Sequence, residues 1–95
     1  MVPNMVPCAF MSRKKKLYEK AKNSPANLRF EEACNLAVQV GFEFRNQSGS
    51  HKTYKHPKFK IMINLQPDPK DKSKAKKYQV DQLVGYIDQY KLIGE

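Results

Sequence analysis

The period of the hydrophobic pattern changes at Gly41, and that change constrains the fold more than any other feature of the chain. Before it, Phe30, Ala33, Cys34, Ala37 and Val38 recur at i, i+3, i+4, i+7 and i+8, the stripe of an amphipathic helix. Glu31 and Glu32 fall in the first turn of that helix, where its dipole favours negative charge. Gly41 stands where a left-handed C-terminal cap is expected, a conformation that glycine adopts without a Cβ penalty. Beyond it, Phe42 and Phe44 alternate with Glu43 and Arg45, the two-residue period of a half-buried strand. The chain therefore has to pack helix against sheet.

The remaining segments extend this reading. Residues 13–22, with Leu17, Tyr18 and Ala21, predict a first helix that Asn23-Ser24-Pro25 terminates. Ser48-Gly49 supplies a turn, residues 50–56 a second strand, and Pro57-Lys58 a second turn. Ile61, Ile63 and Leu65 then alternate with Lys60, Met62 and Asn64 in a third strand. Gln66 to Lys77 is a Pro- and Lys-rich loop without periodicity. Val80, Leu83, Val84, Ile87 and the aliphatic stem of Lys91 mark a closing helix over 79–92, in which Gly85 costs about 1 kcal/mol. The expected fold is α+β, ordered α-α-β-β-β-α, with the helices on one face of a three-stranded antiparallel sheet.

Strand parity assigns the two faces. Phe42, Phe44, Tyr54, Ile61, Ile63 and Leu65 are expected to point to the helices. Arg45, Gln47, His51, Thr53, Lys55, Lys60 and Asn64 then form the open face. A one-residue slip of the middle strand would turn His51 inward.

Ninety-five residues allow one small domain. An apolar content of 40% rules out a disordered polybasic arm. Eighteen basic against nine acidic residues, a formal charge of +9, point to a polyanionic partner. The basic residues collect in residues 13–22, in residues 45–60 and between Asp68 and Lys77, three segments that could border one phosphate track. No apolar run approaches the roughly 18–20 residues of a bilayer span, so no membrane partner is expected. Cys8 and Cys34 are too few for a disulfide framework or a four-ligand zinc site, which favours a reduced, cytoplasmic compartment. Cys34 reads as a small core hydrophobe. In residues 1–11 the apolar stretch precedes the basic run, the reverse of a signal peptide. These residues are expected to be a disordered extension ahead of a single domain over 12–93.

His51 and His56 are the two groups that titrate near neutral pH. Their odd separation points them to opposite faces, which disfavours a chelating or acid/base pair. His56, before Pro57, reads as a turn residue. His51 follows Gly49-Ser50 and has lysines around it. A neutral imidazole there could take the proton of an RNA 2′-hydroxyl while Lys or Arg stabilises the phosphate. That scheme needs no metal or cofactor. The plainer alternative is a surface histidine with no chemistry. Tyr78, Tyr86 and Tyr90, near helical spacing, read as core packing or as part of a protein-docking face.

The run NLRFEEACNLAVQVGFEFRNQSGSHKTYKHP, from Asn27 to Pro57, resembles the HicA toxins of bacterial type II toxin–antitoxin modules. The shared features are the helix ending in Gly41-Phe42, Gly49-Ser50-His51, a Tyr three residues later, and His56-Pro57. The later run from Ile61-Met62-Ile63 to Tyr78-Gln79-Val80 also fits, so the resemblance covers roughly residues 13–92. It implies a double-stranded-RNA-binding-like fold and an mRNA endoribonuclease that blocks translation, with His51 as its active histidine. It also implies neutralisation by a HicB-type antitoxin that covers the same surface. The RNA-binding residues would be Arg45, Gln47, Ser50, Lys52, Lys55 and Lys60, with no metal and no cofactor. The loop 66–77 is longer and richer in lysine than in many relatives, and residues 1–11 have no counterpart in the family pattern. The rival reading is a non-catalytic module that binds structured RNA by shape and phosphate contacts.

Overall fold

The computed structural model describes residues 13–93; the expected extension over 1–11, with Cys8, lies outside them. Helix α1 (Arg13–Asn23) buries Leu17 and Ala21, one turn apart. A 3-10 turn at Pro25–Asn27 follows, and its first position suits a proline that has no N–H to lose. Helix α2 (Phe30–Gln39) buries Ala33, Cys34, Leu36 and Ala37. Val38, expected on this stripe, is 54% exposed, and the row continues instead to the buried Val40. Strands β1 (Glu43–Ser48), β2 (His51–Lys55) and β3 (Met62–Leu65) form an antiparallel sheet in that order, and α3 (Lys77–Tyr90) closes the chain. The α-α-β-β-β-α order is the one the pattern predicts.

The helix-to-sheet transition is a paired hydrogen-bond cap. The Gly41 N–H donates to the Val38 carbonyl at 3.1 Å and the Phe42 N–H to Ala37 at 2.9 Å, with Gly41 at φ +105°. This is the Schellman arrangement, which satisfies the last helical carbonyls. It delivers Phe42, buried to 2% exposure, into the core ahead of β1. Tyr54, Ile63 and Leu65 share the covered face of the sheet with it and are buried. Val80, Leu83 and Ile87 of α3 supply the opposing side of the core.

Three expectations fail for identifiable reasons. Phe44 lies opposite Tyr54, on the helix side as expected, but is 51% exposed. All six residues of β1 are exposed, because this edge strand runs out from under the helices. A bulge after Phe44 sets both Arg45 and Asn46 against Thr53 and inverts the face parity of everything beyond it. The last helix ends at Tyr90, where Lys91 turns left-handed at φ 53°. Lys91 is therefore an exposed cap, and Leu92 and Ile93 pack on the core in its place.

Polar contacts tie the helices together. The Tyr18 hydroxyl of α1 donates to the Asp88 carboxylate of α3, a bond that raises the phenol above its ordinary pKa. Lys20 donates to both oxygens of Glu32 at 2.9 and 3.1 Å, and the Arg29 N–H adds a third bond at 3.0 Å. Burial pushes the Glu32 carboxyl up, but the bonds from Lys20 and from the Arg29 N–H outweigh it and hold the group below its ordinary value of 4.5. The 66–77 segment, read as a loop without periodicity, is also tied down. Ala75 donates to Leu28 at 2.9 Å and Phe30 to Ser73 at 3.0 Å, with isolated β-bridges joining Arg29 to Lys74 and Pro67 to Ala75.

Gly85 has open space where a Cβ would sit, so Gly85→Ala should raise stability in urea unfolding by about 0.5–1 kcal/mol. A Cβ at Gly41 would meet the His56 ring nitrogen at 2.6 Å, so Gly41→Ala should cost more than about 1–2 kcal/mol in the same assay. Because Glu32 is held below its ordinary value, its stabilisation is present above pH 4.5 and is lost as pH falls through the lowered value. Glu32→Gln should therefore flatten the acid limb of a stability-versus-pH curve.

Candidate nucleic-acid interface

The register of β2 builds the open face. Thr53 pairs with Asn64, and their side chains share a 2.8 Å hydrogen bond. Tyr54, between Thr53 and Lys55, is buried on the other side. His51, Thr53 and Lys55 therefore project together from the uncovered face. Cross-strand neighbours on that face are Ser48 beside His51, Glu43 beside Lys55, and the 52% exposed Met62 on the far side of Lys55. His51 is exposed, and its ring has no hydrogen bond or ion pair among the described residues.

The other sequence-predicted residues are divided among different places. Arg45 is the extra residue of the β1 bulge and is exposed. Gln47 was expected on the open face, but the bulge turns it to the helix side opposite Lys52, and its amide donates to the Gly49 carbonyl at 2.9 Å. Lys52, which the resemblance assigned to RNA binding, lies on the helix side as strand parity requires, with its ammonium 5.5 Å from the Phe30 ring of α2. Lys60 is not a strand residue: at φ 57° it closes the β2–β3 turn, donating its N–H to His56 at 2.8 Å. Ser50, in the β1–β2 turn, faces a groove.

That groove has a volume of about 240 Å³ and is lined by Ser50, Gln66, Pro67, Pro69, Lys72 and Lys76. Antiparallel pairing explains its composition. Lys52 pairs with Leu65, so the same register continued by two residues sets Ser50 opposite Pro67. The exit of β3 thus carries the lysine-rich segment to the turn that precedes His51. Lys72 and Lys76 were not singled out from the sequence; the cluster of lysines was visible, but not which of them return to the sheet. The first basic segment does not join them. Helix α1 packs on α2 and α3 in the helical layer, where Lys20 and Lys22 are engaged by Glu32 and Tyr18.

His56 is a core residue and not a simple turn residue. It is 6% exposed, with the Phe42 ring edge-on at 5.2 Å and the Phe59 ring at 5.1 Å. The Lys58 N–H donates to Nδ1 at 3.2 Å. Nε2 therefore carries the proton and donates to the Val40 carbonyl, also at 3.2 Å. Both ring nitrogens are engaged in holding the fold. Tyr86 and Tyr90 belong to the same aromatic cluster, with Phe42 6.3 Å from Tyr86 and Phe59 4.7 Å from Tyr90. Tyr78, 59% exposed, stands apart from them, so the three tyrosines form no common face.

Among the described residues, no group of three or more His, Cys, Asp or Glu could hold a metal ion, and no helix is long and apolar enough to cross a membrane. The two histidines should separate cleanly in thermal unfolding. His56→Ala should cost about 2–4 kcal/mol through lost packing and an unsatisfied Val40 carbonyl. His51→Ala, on the surface, should stay within about 0.5 kcal/mol of wild type. No protein-family model matches the chain, and no curated protein or solved structure matches it significantly.

Proposed function

We propose that the chain is a HicA-like endoribonuclease toxin that binds and cleaves mRNA, blocks translation, and is neutralised by a HicB-type antitoxin covering the same surface. The observation that carries this reading is His51, an exposed imidazole without a side-chain partner at the head of the central strand. It lies on the uncovered sheet face and directly follows Ser50, which lines a groove containing Lys72 and Lys76. The Gly49-Ser50-His51 context, two residues before Thr53 and three before a buried Tyr54, is the part of the chain that resembles the family most specifically.

In this mechanism the neutral His51 ring accepts the proton of a 2′-hydroxyl. The 2′-oxygen forms a bond to the adjacent phosphorus, and the bond to the 5′-oxygen breaks, leaving a 2′,3′-cyclic phosphate and a 5′-hydroxyl. The leaving oxygen takes up a proton, returned by the imidazolium or supplied by water. Lys55 lies on the same face, four residues or about 13 Å along the strand, where it adds to the positive potential that draws the phosphate backbone onto this face. This scheme uses no metal.

A second reading, a non-catalytic module that binds structured RNA, is favoured by one observation: with His56 buried, His51 has no second histidine to share acid and base roles. A cleavage assay separates the two. His51→Ala should lower single-turnover RNA cleavage by a factor of about 10²–10⁴, leave RNA affinity nearly unchanged and abolish growth arrest. Wild-type protein that binds RNA in a salt-sensitive manner and yields no product would support the module instead. Normal cleavage by His51→Ala would remove the catalytic assignment.

A further inference from the structure

We propose that the groove between the β1–β2 turn and the 66–76 segment is a phosphate subsite for single-stranded RNA, with Lys72 and Lys76 as its cationic anchors and Ser50 as its hydroxyl donor. The proposal rests on the ribonuclease reading above and adds the residues that hold the phosphodiester next to the one attacked at His51.

The lining selects an anion by its chemistry. Pro67 and Pro69 have no backbone N–H. Gln66 is partly committed: its N–H donates to Gln79 Oε1 at 2.8 Å and its side-chain oxygen accepts from Gln79 Nε2 at 3.1 Å. The side-chain donors left are the Gln66 Nε2 amide, the Ser50 hydroxyl and the two ammonium groups. Lys72 and Lys76 form no ion pair among the described residues; Lys76 lies 5.7 Å over the Tyr78 ring. Neither is paired with the loop's own acids. The Asp68 carboxylate accepts the Lys70 N–H at 2.8 Å. Asp71 accepts the Ser73 N–H at 3.1 Å and the Ser73 hydroxyl at 2.6 Å, and its second oxygen is 3.9 Å from Lys74. The Ser73 hydroxyl bond leads the contacts that hold the Asp71 carboxyl below the usual carboxylate range.

Size and position agree with this chemistry. About 240 Å³ is below the roughly 300–1,000 Å³ of sites for drug-sized ligands, and suits a phosphodiester with part of its sugar more than a whole nucleotide. Ser50 and His51 are consecutive, with Cα atoms about 3.8 Å apart. An RNA strand whose scissile linkage lies at His51 and that rounds the β1–β2 turn meets the groove at a neighbouring linkage. Two lysines and a hydroxyl hold that neighbour, and so orient the reacting one, without touching the bond that breaks.

The test uses amide NMR on the intact chain with two probes, inorganic phosphate and 2′-O-methyl hexauridylate, which lacks the nucleophile. The oligonucleotide should shift the amides of Ser50, Gln66, Lys72 and Lys76 together with those of His51 and Lys55. Phosphate should shift the groove set alone. In Lys72→Gln/Lys76→Gln the groove shifts should vanish while those at His51 persist, and the slope of log affinity against log salt should become shallower by about 0.7, the value for one phosphate on a single strand. Lys72→Gln alone should give part of the same change. Shifts confined to His51 and Lys55, or an equal loss of slope in Lys70→Gln outside the lining, would overturn the subsite and leave the RNA reading standing. No shift anywhere at saturating oligonucleotide would overturn both.

Discussion

The contact between His56 and the end of α2 is the constraint on which the rest of the molecule depends. Its Nε2–H satisfies the Val40 carbonyl, and its ring occupies the space that a Cβ at residue 41 would enter. Its face meets the edge-on contact of Phe42. One side chain thus locks the point where a 3.6-residue period becomes a two-residue period. Because His56 anchors the end of β2 inward, the odd separation to His51 turns the latter outward, and the covered and open faces are decided together. Buried polar groups serve this purpose only when fully satisfied, since an orphaned one costs about 1–3 kcal/mol; both nitrogens of His56 have partners.

Gln79 does at the other end of the sheet what His56 does at this one. It is 3% exposed, and its amide makes reciprocal bonds with Gln66, like a strand neighbour supplied by a side chain. It therefore ties the start of α3 to the exit of β3 and holds the root of the lysine-rich loop. Two bridges and the contacts to Leu28 and Phe30 hold the rest of that loop. The result is a fixed wall opposite Ser50, where the sequence showed only a loop without periodicity. Charge and rigidity coincide there, which a phosphate site needs.

Much of this was legible in the sequence because local periodicity is a local property. The helix stripes, the cap at Gly41, the three alternating runs and the outward His51 all follow from spacing within a dozen residues. The errors share a cause. Phe44 and Val38 are apolar residues whose burial depends on what lies over them, and both are about half exposed. Gln47 was misplaced by a bulge that no turn residue announces. Lys60 looked like part of an alternating run, although it closes the hairpin in a left-handed conformation. His56 carried no local sign that its partner would be a helix end sixteen residues earlier.

The sequence by itself determined the order of elements, the outward direction of His51 and the presence of excess positive charge, because periodicity and composition require no knowledge of distant contacts. Only the tertiary structure decided which charges meet. Lysines of α1 belong to the helical layer, Lys52 turns to Phe30, and Lys72 and Lys76 reach the turn beside His51. Antiparallel pairing between residues far apart in the chain sets that arrangement. Register is a cooperative outcome of the whole core, and no window of sequence contains it.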